Sequence, residues 1–185
     1  MSDRDRDFAA LALRTAIGPM LVLHGHNKVF GAGGLKGTTG WFDSLGLQPA
    51  AVHARMAAAT EIGAGTLITL GVVNPLPSAA VVGLMATAAA TDHRGKGFFV
   101  FKGGWEYTAV VALAATALAG LGNGRWSVDR LFGRKQRSGA AMAISAAALG
   151  LAGAGVLLAT SYRPPSKDDS ADVEPAPEAA DADLA

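Results

Sequence analysis

Five apolar stretches, near Phe8–Phe30, Ala51–Val73, Leu76–Asp92, Trp105–Leu121 and Ser138–Ser161, run through the 185 residues and leave the chain little else to fold with. Crossing about 30 Å of hydrocarbon takes about 20 residues at about 1.5 Å each, so these lengths predict membrane-spanning helices, the third and fourth being short. Asn74-Pro75-Leu76-Pro77 predicts a tight reversal, because proline ends one helix and suits the first turn of the next. The second and third stretches therefore form an antiparallel hairpin. Half of all residues are hydrophobic and 17% are charged, against about 25% charged in an ordinary soluble domain. The first stretch reads as a retained span, since Met1–Asp7 mixes both charge signs and His24, His26, Asn27 and Lys28 stand where a signal peptide would be cleaved.

Composition also removes whole classes of chemistry. A net charge of +1, with basic residues scattered among Ala-rich segments, offers no nucleic-acid surface. The absence of cysteine excludes disulfides, thiolate-held iron–sulfur clusters, thioether-linked haem and thiol redox pairs. Electron transfer would therefore need another subunit or a bound cofactor. The four histidines do not suggest a bis-histidine haem, because only His24 qualifies as an inward ligand. His24 and His26 point to opposite sides of a helix, which makes a metal clamp between them poor.

Orientation follows from the loops. Arg125, Arg130, Arg134, Lys135 and Arg137 lie between the fourth and fifth stretches, and Arg4, Arg6 and Arg14 mark the first N-terminal end. Five spans put both groups on one side, so the positive-inside rule makes that side cytoplasmic. The opposite loops carry Lys28, Lys36, Arg94, Lys96 and Lys102, so the bias is modest. Trp126, Leu131 and Phe132 among the arginines suit either a segment lying on the headgroups or a solvated linker. After Tyr162 the tail opens with Arg163-Pro164-Pro165 and then carries seven acids against Lys167 alone, and is expected to be extracytoplasmic and disordered.

Within this frame Glu61 stands out. It lies about 15 Å into the second span, near the bilayer middle, where a charge costs about 2.5 to 3.5 kcal/mol. The carboxyl should face the bundle and be protonated, hydrogen-bonded or paired with a cation. It serves there either as a structural hydrogen bond or in contact with a ligand, proton or partner. His24 and Lys28 share a helix face four residues apart, and both are expected on the Glu61 side. His53 and Arg55 sit one to two turns above it. Glu106 and Tyr107 open the fourth span at the outer rim, where Trp105 and Tyr107 also suit interface anchoring. Lys28 and Arg55 have a plainer reading as snorkelling cations, and Asp92, His93, Arg94 and Lys96 as a solvated loop.

His24–Gly31 at the end of the first span, Gly40–Leu47 in the following loop, Glu61–Gly65 in the second span, Gly103-Gly104-Trp105-Glu106-Tyr107, and Gly124-Arg125-Trp126-Ser127-Val128-Asp129 together resemble the DoxX family of bacterial membrane proteins. The resemblance covers about residues 8–130 and implies an all-α polytopic membrane protein with a four-helix transmembrane bundle. The resulting organisation is a cytoplasmic N-terminus (1–7), the DoxX-like domain (8–130), a basic cytoplasmic loop (131–137), a fifth C-terminal transmembrane helix (138–161) and the acidic tail (162–185). That fifth helix departs from the family pattern. Ala146, Gly150 and Ala154 form a stripe that either arises by chance in an Ala-rich helix or lets it dock closely on the core or on another subunit.

The resemblance further implies membership of a redox assembly. The leading expectation is a non-catalytic accessory subunit of a respiratory or quinone-linked complex in the plasma membrane. Its partners would be other membrane redox subunits, or a soluble redox enzyme on the outer face. His24, Lys28, Glu61, Glu106 and Tyr107 form the candidate polar cluster, with no covalent cofactor, no metal, and a quinone as the ligand to consider. Two alternatives stand beside it: a small proton-linked transporter, and a quinone-using oxidoreductase subunit acting on small sulfur compounds. Against the first, the chain shows no convincing internal repeat. Against the second, it has no cysteine, metal motif or dinucleotide fingerprint, and Gly31-Ala32-Gly33-Gly34 lacks the strand and Lys-Ser/Thr of a phosphate loop.

Overall fold

The computed structural model describes residues 2–165. All seven tail acids, and the disorder expected of them, lie outside these described residues. Seven α-helices follow in order: α1 (Asp3–Phe30), α2 (Gly34–Ser44), α3 (Ala50–Leu70), α4 (Leu76–Ala90), α5 (Glu106–Leu121), α6 (Val128–Leu131) and α7 (Ala140–Ser161). No strand occurs among the described residues; Leu47 and Tyr162 form an isolated bridge. Ser2 caps α1 in a reciprocal capping box with Asp5. Hydrogen bonds from Ser2 hold the exposed Asp5 carboxyl below the usual carboxylate range.

Of these helices α1 and α7, at 28 and 22 residues, are long and apolar enough to cross a membrane; α4 and α5 are shorter apolar helices. α3 has 21 residues and carries both Arg55 and Glu61. The segment from Gly40 to Leu47, expected as a loop, is instead mostly helical in α2. Its three glycines disfavour helix, but Phe42 packs with Leu47, Ala50, Ala54 and Ala57, and that burial outweighs the propensity. Thr38 Oγ donates to Lys28 O at 2.8 Å, tying α2 to the last turn of α1.

Packing is reversed from that of a soluble bundle. In α5 and α7 the buried positions include Ala115, Ala119, Ala146 and Ala154, while Val110, Leu113, Ile144, Leu151 and Val156 face outward. Lipid is as apolar as leucine, so a membrane bundle gains by close backbone approach and loses nothing by exposing large side chains. α1 runs antiparallel along α3, and α4 contacts α3, α5 and α7. A Cβ on Gly25 would meet Ala58 O and Glu61 Cβ at 2.9 Å, so its absence lets α1 approach α3 closely just before Lys28.

The stripe of small residues on α7 is used to dock that helix on α4. Ala146, Gly150 and Ala154 are its buried positions, and a Cβ on Gly150 would lie 2.6 Å from Ala79 O and 2.7 Å from Val82 Cβ. Backbone cannot yield there as a flexible side-chain tip would. Gly150→Val is expected to cost about 1–3 kcal/mol through overpacking. Melting in detergent should show the loss, together with faster proteolysis between α6 and α7; a wild-type melting point would disprove this docking.

Candidate functional site

Glu61 is 5% exposed at the middle of α3, and its Oε1 accepts from Lys28 Nζ at 2.7 Å. The pair joins α3 to the last turn of α1. Glu61 Oε2 is buried with no hydrogen-bond partner among the described residues. One turn before Lys28, exposed His24 places Nε2 3.4 Å from Tyr107 Oη, and Tyr107 Oη lies equally far from Met20 Sδ. These are long contacts, yet they bring α5 to the same side of α1.

Lys28, Glu61, His24 and Tyr107 line a cavity of about 540 Å³ bounded by residues of α1 to α5 and α7. The volume lies within the range of about 300–1,000 Å³ typical of small-molecule sites. Leu21, Phe42, Met56, Leu84, Met85 and Leu157 contribute apolar wall. Glu106, the fifth candidate, does not line the cavity. Its Oε2 accepts Val100 N–H at 3.0 Å, holding the 3-10 turn Val100–Lys102 between α4 and α5. His26 lies against Phe30 with ring centres 4.8 Å apart and planes tilted by 38°, and exposed Arg55 donates to its own helix at Ala51 O.

Three lining residues had no assigned place in the candidate cluster. His53 Nε2 lies 3.2 Å from Gln48 O. A carbonyl only accepts, so Nε2 is the donor in this contact, and Nδ1 is the ring nitrogen left over. That nitrogen is buried without a partner among the described residues. Asp92 and His93, read above as solvated loop, also reach the cavity, with Asp92 paired to Lys96 at 3.2 Å and His93 Nδ1 2.5 Å from Gly103 O. Among the described residues, no group of three or more His, Asp or Glu is arranged to hold a metal ion.

A second polar cluster lies about 21 Å back along α1 by helical rise. Arg14, 3% exposed, donates to Ile68 O at 3.0 Å, Thr69 O at 2.8 Å, Asn123 O at 2.8 Å and Trp126 O at 2.7 Å. Two of these carbonyls end α3, where the helix dipole favours a cation. Asp129 Oδ2 accepts from Val73 N at 2.7 Å and Asn123 Nδ2 at 2.9 Å, and Oδ1 from Arg134 at 3.0 Å. The Gly124–Asp129 segment is thus a clasp that closes α5 onto α1 and the α3–α4 turn. Backbone acceptors leave no mark in a sequence, so Arg14 could be read there only as an orientation signal.

No curated protein and no solved structure matches the chain. The match to a family model ends before the Gly103–Tyr107 and Gly124–Asp129 motifs, and so leaves out α5 to α7. It includes the Lys28–Glu61 pair. DoxX-family proteins are generally membrane proteins linked to redox or quinone-related functions. The DoxX family model matches residues 9–94, which hold most of α1 and the whole of α2 to α4, and the similarity of that segment supports a DoxX family assignment.

Proposed function

We propose that this protein is a non-catalytic accessory subunit of a respiratory or quinone-linked redox complex in the plasma membrane, and that its cavity holds a quinone-type molecule. The observation that carries the reading is the Lys28–Glu61 pair at the polar side of an otherwise largely apolar cavity. An amphiphile with a small polar ring and an apolar tail suits such a space. His24 and Tyr107 stand at the same side, available to a headgroup, while Glu106 supports the rim. With no cysteine in the chain, thiol redox chemistry belongs to a partner.

In this reading α1, α3, α4, α5 and α7 cross the membrane, with the N-terminus cytoplasmic and the C-terminus extracytoplasmic. α4 and α5, at 15 and 16 residues, span about 22–24 Å, short of the roughly 30 Å of hydrocarbon. Phe98, Phe99, Phe101 and Trp105 are exposed in the loop joining them, which lengthens the apolar band and relieves the mismatch.

Isolation from native membranes in mild detergent, followed by solvent extraction and mass spectrometry, tests the proposal. An isoprenoid quinone should copurify near stoichiometry together with an oxidase, dehydrogenase or other redox protein. Recovery of neither would refute it.

A further inference from the structure

At the end of the bundle away from the Lys28–Glu61 pair, a second cavity of about 450 Å³ lies between the α3–α4 turn, the first part of α7 and the segment that joins α5 to α7. Its wall divides by chemistry. Val73, Leu76, Met142 and Leu149 are apolar, whereas Arg134, Lys135 and Arg137 make a cationic rim. Asp129 is the one acid lining it, and its carboxylate is already taken by Val73 N–H, Asn123 Nδ2 and Arg134. The neutral polar groups are engaged as well: Asn74 Nδ2 donates to Leu118 O at 3.2 Å, Gln136 Nε2 to Gly124 O, and Ser145 Oγ to Met142 O at 2.9 Å. Lys135 and Arg137 differ from these. Both are exposed, and among the described residues neither has a carboxylate within ion-pair distance.

The surface beside this rim suits a lipid boundary better than water. Trp126, Leu131 and Phe132 are 50%, 81% and 76% exposed and are interleaved with Arg125, Arg130 and Arg134. Large apolar side chains gain nothing from water, and their alternation with cations fits the depth at which acyl chains meet anionic headgroups. From Asn123 to Arg137 there are five basic residues against one acid, so the whole segment attracts anions. Inorganic phosphate would engage the rim and leave the apolar wall unused. A phospholipid uses both.

We infer that this second cavity holds an anionic phospholipid, with Lys135 and Arg137 donating to its phosphodiester and Leu76, Met142 and Leu149 receiving an acyl chain. The preference for an anionic over a zwitterionic lipid follows from the charge of the rim. Its single carboxylate is occupied, so a headgroup ammonium would meet cations with no partner of its own. The inference is independent of the quinone reading, since the two cavities share only Leu149.

Native mass spectrometry tests it on the full chain, released from micelles that hold equal amounts of phosphatidylglycerol and phosphatidylcholine with the same acyl chains. Phosphatidylglycerol should be retained about tenfold over phosphatidylcholine, and Lys135→Gln/Arg137→Gln should lower that preference to about twofold. Both residues are exposed, so this variant is expected to fold. Lys36→Gln/Lys102→Gln removes two exposed cations at the other end of the bundle and should leave the preference unchanged. An equal loss in that control would show attraction to charge anywhere on the protein and overturn the assignment to this cavity. Displacement of the lipid by excess inorganic phosphate would make this a phosphate site and overturn the lipid reading. Equal retention of the two lipids by the wild type would overturn the inference outright and leave the basic segment as a solvated linker or a surface for an acidic protein.

Discussion

Lys28→Met is expected to lower the stability of the bundle by about 3 kcal/mol, the lower end of the cost of removing one partner from a buried ion pair. For a chain of this size that is on the order of 10 °C in the melting midpoint. The side chains of Lys28 and Glu61 are 16% and 6% exposed, so water screens the pair little. The single substitution leaves Glu61 deep in α3 without its cation. The double variant Lys28→Met/Glu61→Met should recover most of the loss, because replacing both members of a buried pair with apolar groups removes the desolvation penalty as well as the attraction. Melting of the wild type, both single variants and the double variant in one detergent measures this coupling. Additive losses would show that the pair does not hold α1 to α3.

Arg14→Met has the larger expected effect on assembly. Hydrogen bonds to a charged donor are worth about 1.5–3 kcal/mol each, although such values do not simply add. Arg14 makes four, to carbonyls of two separate segments of backbone, the end of α3 and the loop after α5. A methionine can fill part of the space but leaves those carbonyls without the guanidinium. A loss of at least about 4 kcal/mol is expected, enough to deplete the folded protein in membranes, since native stability is commonly only about 5–15 kcal/mol. Arg14→Lys should fall between, because an ammonium keeps the charge but not the planar fork of five donors. Detergent-solubilised yield, together with protease sensitivity of the 123–137 segment, reads the effect. A variant Arg14→Met that accumulates and melts like the wild type would remove the clasp from this account.

Much of the site was legible because membranes penalise polarity. Glu61 could be singled out by depth alone, and the four-residue spacing of His24 and Lys28 put them on one helix face. The i, i+4 stripe on α7 was visible for the same periodic reason, though its partner was not. α2 was missed because its glycines oppose helix, and the packing of Phe42 that overrides them is tertiary. Glu106 looked equivalent to Tyr107 at the start of a span, yet its carboxylate folds back onto Val100 N–H and leaves the cavity to its neighbour. His53 could be placed above Glu61 along the helix, but that only one of its nitrogens would find a partner depends on the carbonyl of Gln48.

By itself the sequence determined that this chain has a helical, lipid-compatible surface, no thiol chemistry, and a carboxyl that must be compensated within the bundle. Hydropathy and helical period are local properties, and each residue carries them wherever the chain goes. Only the tertiary structure decided that Lys28, 33 residues away, supplies the compensation, that Arg14 binds carbonyls instead of a carboxylate, and that α7 forms part of the cavity wall. Those outcomes depend on how closely helices approach and on which backbone groups are left facing inward. Gly25 and Gly150 set two of these approaches, and a missing side chain shows its consequence only against the neighbour it admits.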